Sequence, residues 1–193
     1  MSRAPGFNGP MPTVMLINGA PASGKSTLAR LLAQDRAMTL VLDVDTIRGF
    51  LTDWQEAPTA AGLAARQLAL AMCEIHVSAG HDVIVPQFLQ RAPFIDELGA
   101  VARRGGARFQ EVCLMSSAEQ AAAQFAARSQ SRDPNHQAAQ MLQSGPGATA
   151  VGGLHEAMCD MVSRRPQTIC VRCVPGDVEG SLARLRAATR ETQ

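Results

Sequence analysis

The chain has 193 residues and a formal net charge of +1, from 18 basic and 17 acidic side chains. This length suits one domain, and a hydrophobic content of 46% is enough to bury a core, which argues against wholesale disorder. The balance of charges excludes the strong positive field that holds nucleic acid or an anionic membrane non-specifically. One of the basic residues is a lysine, Lys25, and all the others are arginines.

The N-terminal segment, residues 1–12, is rich in proline and glycine and is predicted to be a flexible tail. It lacks the apolar stretch of a secretory signal, and no run in the chain approaches the ~18 apolar residues of a membrane span. The five cysteines are odd in number, which favours reduced thiols over a disulfide scaffold. We therefore expect a cytoplasmic protein with no membrane contact, in which residues 13–193 form a single domain.

Short apolar runs alternate with helical patterns through the rest of the chain. The predicted strands cover residues 13–17, 39–43, 82–85, 108–114 and 168–174. The predicted helices cover residues 25–35, a segment that begins at Asp45, and residues 59–78, 91–104, 117–129, 151–163 and 178–189. This alternation predicts right-handed β-α-β units and a parallel sheet with helices on both faces. Residues 130–150 are polar and broken by proline and glycine, so they are predicted to form an exposed mobile excursion.

The most specific motif is the segment Gly19-Ala-Pro-Ala-Ser-Gly-Lys-Ser26, which fits GxxxxGK[ST] between a predicted strand and a predicted helix. In such a loop the backbone N–H groups surround phosphate oxygens, and the following helix adds its dipole. Lys25 supplies a compact charge to the terminal phosphates, and the Ser26 hydroxyl lies where Mg²⁺ would bind. The predicted nucleotide-binding residues are Gly19, Ala20, Pro21, Ala22, Ser23, Gly24, Lys25, Ser26 and Thr27.

Two carboxylates and an arginine follow the second predicted strand, at the edge where ligands bind parallel α/β sheets. Asp45 could act as a general base that accepts the proton of an attacking hydroxyl. Asp43 and Ser26 could hold Mg²⁺, and Arg48 could steady an anionic group of the acceptor. The structural alternative is that Asp45 caps the next helix while Asp43 is solvated.

The acceptor pocket has to come largely from residues 46–80, because the chain is too short for a separate acceptor domain. This stretch is rich in alanine and leucine and contains Trp54 and Met72, which suits an uncharged, partly apolar acceptor. Gln87, after the third predicted strand, could hydrogen-bond such an acceptor. Aromatic residues make up 4% of the chain with no tyrosine, which argues against a nucleic-acid partner.

Three segments together resemble the small P-loop kinases: Lys25 lies in NGAPASGKST, Asp45 and Arg48 lie in LDVDTIR, and Arg128 and Arg132 lie in FAARSQSR. This group includes chloramphenicol phosphotransferase, the zeta-toxin kinases, the adenylate-kinase relatives and the tunicamycin-resistance proteins. The resemblance extends over most of the chain, and its strong motif is the phosphate loop.

The resemblance implies a P-loop NTPase fold with a five-stranded parallel core and a mobile lid, over about residues 130–150. It implies that Asp45 is the base, that Arg128 and Arg132 are lid arginines, and that the turn after the fifth strand packs on the nucleotide base. Many relatives have an acidic residue where this chain has Gln87. Because that carboxylate is missing here, metal binding is expected to depend more on Ser26 and water.

The predicted activity is transfer of the γ-phosphoryl group of ATP or GTP, with Mg²⁺, to a hydroxyl of a small molecule. The resemblance to resistance enzymes favours an antibiotic or a nucleoside-like natural product as the acceptor. Two alternatives stay open: a polynucleotide or nucleotide-sugar kinase, and a regulatory module that binds a nucleotide without catalysis. The sequence does not determine the oligomeric state.

Overall fold

The computed structural model describes residues 10–117, 119–120 and 151–190. Within them, strands and helices alternate in the order β1 (Thr13–Gly19), α1 (Lys25–Ala33), β2 (Leu40–Val41), α2 (Val44–Gly49), α3 (Pro58–Ser78), β3 (Val83–Pro86), α4 (Pro93–Arg104), β4 (Arg108–Met115), α5 (Val151–Ser163), β5 (Ile169–Arg172) and α6 (Val178–Arg190). The strands form one parallel sheet in the order β2-β3-β1-β4-β5. The predicted five-stranded parallel α/β fold is confirmed.

Strand β1 lies at the centre of the sheet, and its side chains are buried on both faces. Val14 and Leu16 contribute to one core, together with residues of α3, α4 and α5. Met15 and Ile17 point to the opposite face, where α1 and α6 pack. A strand that is buried on both sides has to be apolar throughout, which is why residues 13–17 form an unbroken apolar run rather than an alternating pattern.

The parallel arrangement brings the carboxyl ends of β1, β2 and β3 to one edge of the sheet. There, the Asn18 side chain joins β1 to the segment after β3: its Nδ2 donates to the Leu89 carbonyl oxygen at 3.0 Å, and its Oδ1 accepts from the Leu89 N–H at 2.9 Å. The same Oδ1 accepts from the Gly19 N–H at 2.8 Å. Asn18 is only 2% exposed, and these contacts fix the start of the loop that follows β1.

Strand β2 is shorter than predicted, because the chain leaves the sheet before Asp43. The Leu40 N–H donates to the Asp82 carbonyl oxygen, just before β3, at 2.9 Å. The Leu42 N–H donates to the Ile84 carbonyl oxygen, within β3, at 2.8 Å. Beyond Leu42 the backbone turns directly into α2. The other boundaries agree with prediction to within about two residues, and α5 begins and ends where predicted.

The helix predicted to start at Ser117 has the cap that such a helix needs. The Gln120 N–H donates to the Ser117 hydroxyl at 3.1 Å, and the Ser117 N–H donates to Gln120 Oε1 at 3.2 Å, which forms a capping box. The rest of that helix, the predicted lid and most of the predicted N-terminal tail lie outside the described residues. In the described ranges, no helix is both long and apolar enough to cross a membrane.

A buried ion pair attaches the segment after α5 to the sheet. The Arg165 Nε–H lies 2.9 Å from both carboxylate oxygens of Glu111 on β4, and the Thr168 hydroxyl donates to the same carboxylate at 2.7 Å. The Glu111 side chain is 2% exposed and that of Arg165 is 14% exposed. Asp96 adds a second partner for Arg165 at 3.0 Å. This pair therefore holds the edge strand β5 in register with the core.

We expect Glu111→Ala to lower the free energy of unfolding by about 3–5 kcal/mol, because it leaves the Arg165 guanidinium buried without its main partner. The matched control is Glu74→Ala, which breaks an ion pair with Arg104 that is exposed on both sides and should change the free energy of unfolding much less. Urea unfolding followed by circular dichroism measures both values. Equal losses in the two variants would contradict a structural role for the buried pair.

Candidate functional site

The loop between β1 and α1 adopts a backbone that depends on glycine at its first position. Gly19 has φ +156°, and a Cβ placed there would lie 2.7 Å from Ser23 Oγ and 3.1 Å from the Leu114 Cβ. Gly24 caps α1 at φ +87°, and Ala22 has a left-handed φ of +66°. The glycines of the sequence motif are therefore required by contact and by conformation, and Ala22 holds part of the loop's strain.

The N-terminus of α1 points into this loop with its charge uncompensated. In the described chain, no side chain caps this helix and its first turn contains no acidic residue. Lys25 Nζ donates to the Gly19 and Ala20 carbonyl oxygens at 2.9 and 2.8 Å, so the ammonium group is held against the loop itself. Backbone N–H groups, a helix dipole and an ammonium group thus surround one position, which suits a phosphate.

Ser26 and Asp43 come together beside the phosphate loop, as predicted for metal binding. Ser26 Oγ lies 3.4 Å from Asp43 Oδ2. A hydroxyl and a carboxylate are hard oxygen donors, and Mg²⁺ takes its remaining ligands from phosphates and water. Among the described residues, no cluster of three or more His, Cys, Asp or Glu could hold a metal by itself. The donor set therefore fits a Mg²⁺ ion that is shared with a bound nucleotide.

Asp43, and not Asp45, is the N-cap of α2. Asp43 has extended backbone angles, φ −87° and ψ 111°, and its Oδ1 accepts from the Asp45 and Thr46 N–H groups at 3.0 and 3.4 Å. The structural alternative, in which Asp45 caps the helix and Asp43 is solvated, is wrong. Asp45 lies inside the first turn of α2, so its own carboxylate is not used for capping and contacts Arg48.

The Asp45 carboxylate has a perturbed pKa. One of its oxygens lies 3.2 Å from the Arg48 guanidinium, and 41% of the side chain is exposed. Burial raises the pKa of Asp45 above its ordinary value, and the positive charge of Arg48 opposes this shift. Asp43 raises the same pKa further, while Lys25 and Arg66 lower it. A carboxylate with a raised pKa takes a proton more readily, which is the property that a general base requires.

Arg48 is held between Asp45 and an aromatic ring. The centre of its guanidinium lies 4.7 Å from the centre of the Trp54 ring, and the side chain is 12% exposed. Its Nε is buried and has no hydrogen-bond partner in the described part of the chain. The structure thus brings Asp45, Arg48 and Trp54 together, as predicted.

Gln87 follows β3, between the phosphate loop and the start of α2 in the order of the strands. Gln87 is 9% exposed, and its Oε1 is buried with no hydrogen-bond partner among the described residues.

The sequence does not indicate a second contact in this region: the Arg66 guanidinium on α3 lies 5.7 Å from the ring centre of Phe94 on α4. Arg48 and Arg66 lie on different helices, and the loop between α2 and α3 and the first turns of α3 separate them in the sequence.

The expected apolar lining does not form a closed wall. Leu63, Leu68 and Met72 on α3 are 57%, 46% and 43% exposed, so large apolar side chains of this helix lie on the outer surface. The buried face of α3 is made of small residues, because alanines and Cys73 pack against the core. The described contacts beside Asp45 are those of Arg48 and of the Trp54 ring, and the apolar acceptor pocket stays a prediction. The predicted lid arginines, Arg128 and Arg132, lie outside the described residues.

A cavity of about 130 Å³ adjoins the phosphate loop on the side of β5. It is lined by Ser23 and Thr27, by Ser116 after β4, and by the turn of residues 174–177. This is the turn that the resemblance places against a nucleotide base. A larger cavity of about 190 Å³ lies at the opposite edge of the sheet, where its charged groups already form the ion pairs Arg36–Asp82 and Arg186–Asp35.

Solved structures share this fold over nearly the whole chain. The APS kinase CysC of Mycobacterium tuberculosis, in complex with AMPPNP and APS, is 18% identical with a TM-score of 0.63, over 94% of this chain and 99% of that chain. A structure from the PezAT toxin–antitoxin system of Streptococcus pneumoniae is 12% identical with a TM-score of 0.64, over 96% and 88%. A gluconokinase from Sinorhizobium meliloti is 18% identical with a TM-score of 0.54, over 94% and 97%. At these identities the similarity concerns the P-loop kinase-like fold.

A search of curated proteins finds no match to the sequence. A family model for an AAA domain, AAA_33, matches residues 14–145. The match covers more than half of the chain and includes the phosphate loop, Asp43, Asp45 and Arg48. The chain therefore belongs to this AAA domain family.

Proposed function

We propose that the protein is a kinase that transfers the γ-phosphoryl group of ATP or GTP to a hydroxyl of a small molecule. The observation that carries this proposal is the position of the Asp43 carboxylate. It lies 3.4 Å from Ser26 Oγ on the phosphate-loop helix and accepts from the Asp45 N–H at 3.0 Å. One side chain therefore contacts both Ser26, a candidate metal ligand, and the backbone of Asp45, the candidate base, and phosphoryl transfer uses groups of these two kinds close together.

On the donor side, the loop N–H groups, the α1 N-terminus and Lys25 bind the nucleotide phosphates. Ser26 and Asp43 would hold Mg²⁺, which supplies charge neutralisation for the phosphates when it is bound. The cavity lined by Ser116 and residues 174–177 takes the nucleotide base. Both purine nucleotides remain candidates, because the lining shows no group that selects between them.

On the acceptor side, Asp45 accepts the proton of the attacking hydroxyl. Arg48 orients Asp45 and contacts the acceptor, with Trp54 and Gln87 as neighbouring substrate residues. Arg128 and Arg132 close over the transferring group, where their charge would offset the negative charge that develops. For the acceptor, we propose an antibiotic or a nucleoside-like natural product, which the sequence resemblance to resistance enzymes supports.

We expect Asp45→Asn to lower kcat by about 10²–10⁴-fold while the affinity for ATP stays nearly unchanged, because the variant keeps the shape of the site and loses the proton acceptor. Asp53→Asn is the control, since Asp53 is exposed and asparagine tolerates its left-handed φ of +54°. ADP release with a panel of hydroxylated small molecules measures turnover, and calorimetry measures ATP binding.

Two outcomes would contradict parts of this proposal. If Asp45→Asn has the turnover of the unmodified protein, Asp45 is not the base. A protein that binds ATP but consumes none with any acceptor would favour the alternative of a regulatory nucleotide-binding module.

Asp43→Asn separates the two roles of Asp43. Asparagine caps a helix about as well as aspartate, so we expect the free energy of unfolding to change by less than about 1 kcal/mol. The lost charge should raise the Mg²⁺ concentration needed for half-maximal ATP turnover about tenfold or more. Thermal unfolding and a Mg²⁺ titration of ADP release check both effects. An unchanged Mg²⁺ requirement would show that Asp43 is only a cap.

The activity should fall on the acid side of its pH profile because Asp45 must be ionised to accept a proton. Since the pKa of Asp45 is raised, the acid limb of kcat/KM should lie above the ordinary aspartate pKa of about 3.9. Arg48 lowers this pKa, so Arg48→Met should move the limb to higher pH, even if the rate itself is lower. If the acid limb of the Arg48→Met profile lies at the same pH as that of the unmodified protein, the group that titrates is not Asp45.

A further inference from the structure

The side chain of Asn18 continues the pairing of β1 with β3 beyond the end of the two strands. The backbone register between them ends where Ile17 lies opposite Pro86. One residue later, the Gln87 N–H still donates to the Ile17 carbonyl oxygen at 3.1 Å. The Asn18 amide then takes the place of a peptide group, because its Nδ2 donates to the Leu89 carbonyl oxygen at 3.0 Å and its Oδ1 accepts from the Leu89 N–H at 2.9 Å. The chain from Gln87 to Leu89 is therefore held against β1 at both ends.

The same amide oxygen also holds the phosphate loop. Asn18 Oδ1 accepts from the N–H of Gly19, the first glycine of the loop, at 2.8 Å. Gly19 is closely packed as well, since a Cβ at this position would lie 2.7 Å from Ser23 Oγ and 3.1 Å from the Leu114 Cβ. The loop and Leu89 thus share one hydrogen-bond acceptor, so a displacement of either one disturbs the bond of the other.

The burial of Asn18 makes these bonds depend on one another. The residue is 2% exposed, so water cannot easily replace a partner that is lost. A buried polar group without a partner keeps the full cost of its desolvation, which favours a state in which all the bonds of the amide are made. We therefore expect the three hydrogen bonds of the Asn18 side chain to form and to break together.

We propose that Asn18 is a positioning residue that couples nucleotide binding at the phosphate loop to the placement of the segment after β3. Bound phosphates fix the loop, the fixed Gly19 N–H orients the Asn18 amide, and the amide holds Leu89. Gln87, at the other end of this segment, is thereby placed as well. By reciprocity, a ligand that fixes the segment strengthens nucleotide binding.

This coupling rests on the nucleotide binding of the proposed function and goes beyond it. Asn18 acts through its neighbours and need not contact either substrate, because its side chain is enclosed between β1 and Leu89. It connects the donor side to the segment after β3, whereas Asp43 connects the donor side to α2. The two connections can be tested separately, since they use different side chains on different strands.

The first test is Asn18→Asp, which keeps the shape of the side chain and changes the atom that donates. The ionised carboxylate places an acceptor oxygen against the Leu89 carbonyl oxygen, whereas the protonated carboxyl has an O–H that donates to it as Nδ2 does. Burial raises the pKa of the introduced carboxyl group, so the native bonds are expected at low pH and are lost as the pH rises through that raised pKa.

Calorimetry with Mg²⁺ and AMPPNP measures the effect on nucleotide binding, with the unmodified protein as the reference at each pH. Above the raised pKa, we expect the dissociation constant of Asn18→Asp to be higher by about tenfold or more, because buried hydrogen-bonding groups lose their partners. Below that pKa, the affinity should return to that of the unmodified protein. Recovery at low pH also shows that the variant folds.

Gln110→Glu is the matched control, because it makes the same amide-to-carboxyl change at a buried site on β4. Gln110 is 5% exposed, and its Nε2 donates to the Thr189 carbonyl oxygen at 3.1 Å, at the opposite edge of the sheet. We expect this variant to lose stability with rising pH, as Asn18→Asp does, and to bind AMPPNP like the unmodified protein. An equal loss of affinity in both variants would show that affinity only follows stability, which would overturn the positioning role.

The second test measures the coupling in the unmodified protein, so it does not depend on the folding of a variant. Amide hydrogen exchange is followed at the Leu89 N–H, with the Arg108 N–H as the reference. The Arg108 N–H donates to the Pro12 carbonyl oxygen at 2.9 Å, at the opposite edge of the sheet. We expect saturating Mg²⁺ and AMPPNP to slow exchange at Leu89 by about tenfold more than at Arg108. In Asn18→Asp, this extra protection should be present at low pH and absent at high pH.

The results distinguish this coupling from the proposed kinase activity. Equal protection of Leu89 and Arg108, or an AMPPNP affinity of Asn18→Asp that equals that of the unmodified protein at every pH, would overturn the coupling. Phosphoryl transfer without the extra protection of Leu89 would support the kinase alone. Nucleotide-dependent protection of Leu89 in a protein that phosphorylates no acceptor would support the coupling and count against the kinase.

Discussion

One carboxylate, that of Asp43, connects the two halves of the site. Its Oδ1 binds the first N–H groups of α2, and its Oδ2 lies against Ser26 at the start of α1. The direction of α2 therefore depends on the same side chain that faces the phosphate loop, and α2 in turn positions Asp45 and Arg48. Any change that moves Asp43 would therefore move the phosphate-loop side of the site and the α2 side together.

The two sides of the site consist of different chemical groups. The donor side is mainly backbone: a glycine that allows close contact, a strained alanine, and the N–H groups of a helix end. Its geometry follows from the sheet and from Asn18, which ties the loop to the segment after β3. The acceptor side consists of side chains on α2, α3 and α4, which can be replaced without rebuilding the sheet. The fold thus fixes the phosphate loop, and the residues that we propose to bind the acceptor lie on the surrounding helices.

A feature of this structure could be predicted from the sequence when it depends on residues that are close together in the chain. The phosphate loop and the alternation of strands and helices were predictable, because they are written in local spacing and in runs of apolar residues. The D-x-D segment has two carboxylates that could each cap α2, and the choice depended on where β2 ends, which spacing does not show. Local spacing assigns no role to Asn18, because its hydrogen bonds to the segment after β3 join residues that are far apart in the sequence.

The acceptor side was the least predictable part, for a physical reason. The contacts of Arg48 with Trp54 and of Arg66 with Phe94 depend on how helices pack, and Arg66 and Phe94 are far apart in sequence. Composition predicts that the leucines and the methionine of α3 line the acceptor pocket. In the structure, the alanine face of α3 packs against the core, so Leu63 and Met72 lie on the exposed face of the helix. Residue type does not tell which of these side chains face a pocket, so the apolar acceptor pocket stays a prediction.

The position of Lys25 has a consequence for the chemistry of the whole protein. Because every other basic side chain is an arginine, the side-chain amine of this chain is found at one place, hydrogen-bonded to two carbonyl oxygens of the phosphate loop. Guanidinium groups do not react as amines do, so acylation, reductive methylation and carbamylation of side chains converge on the nucleotide site. No other lysine in the chain competes for such reagents, so protection of the Lys25 amine would report on the occupancy of the phosphate loop.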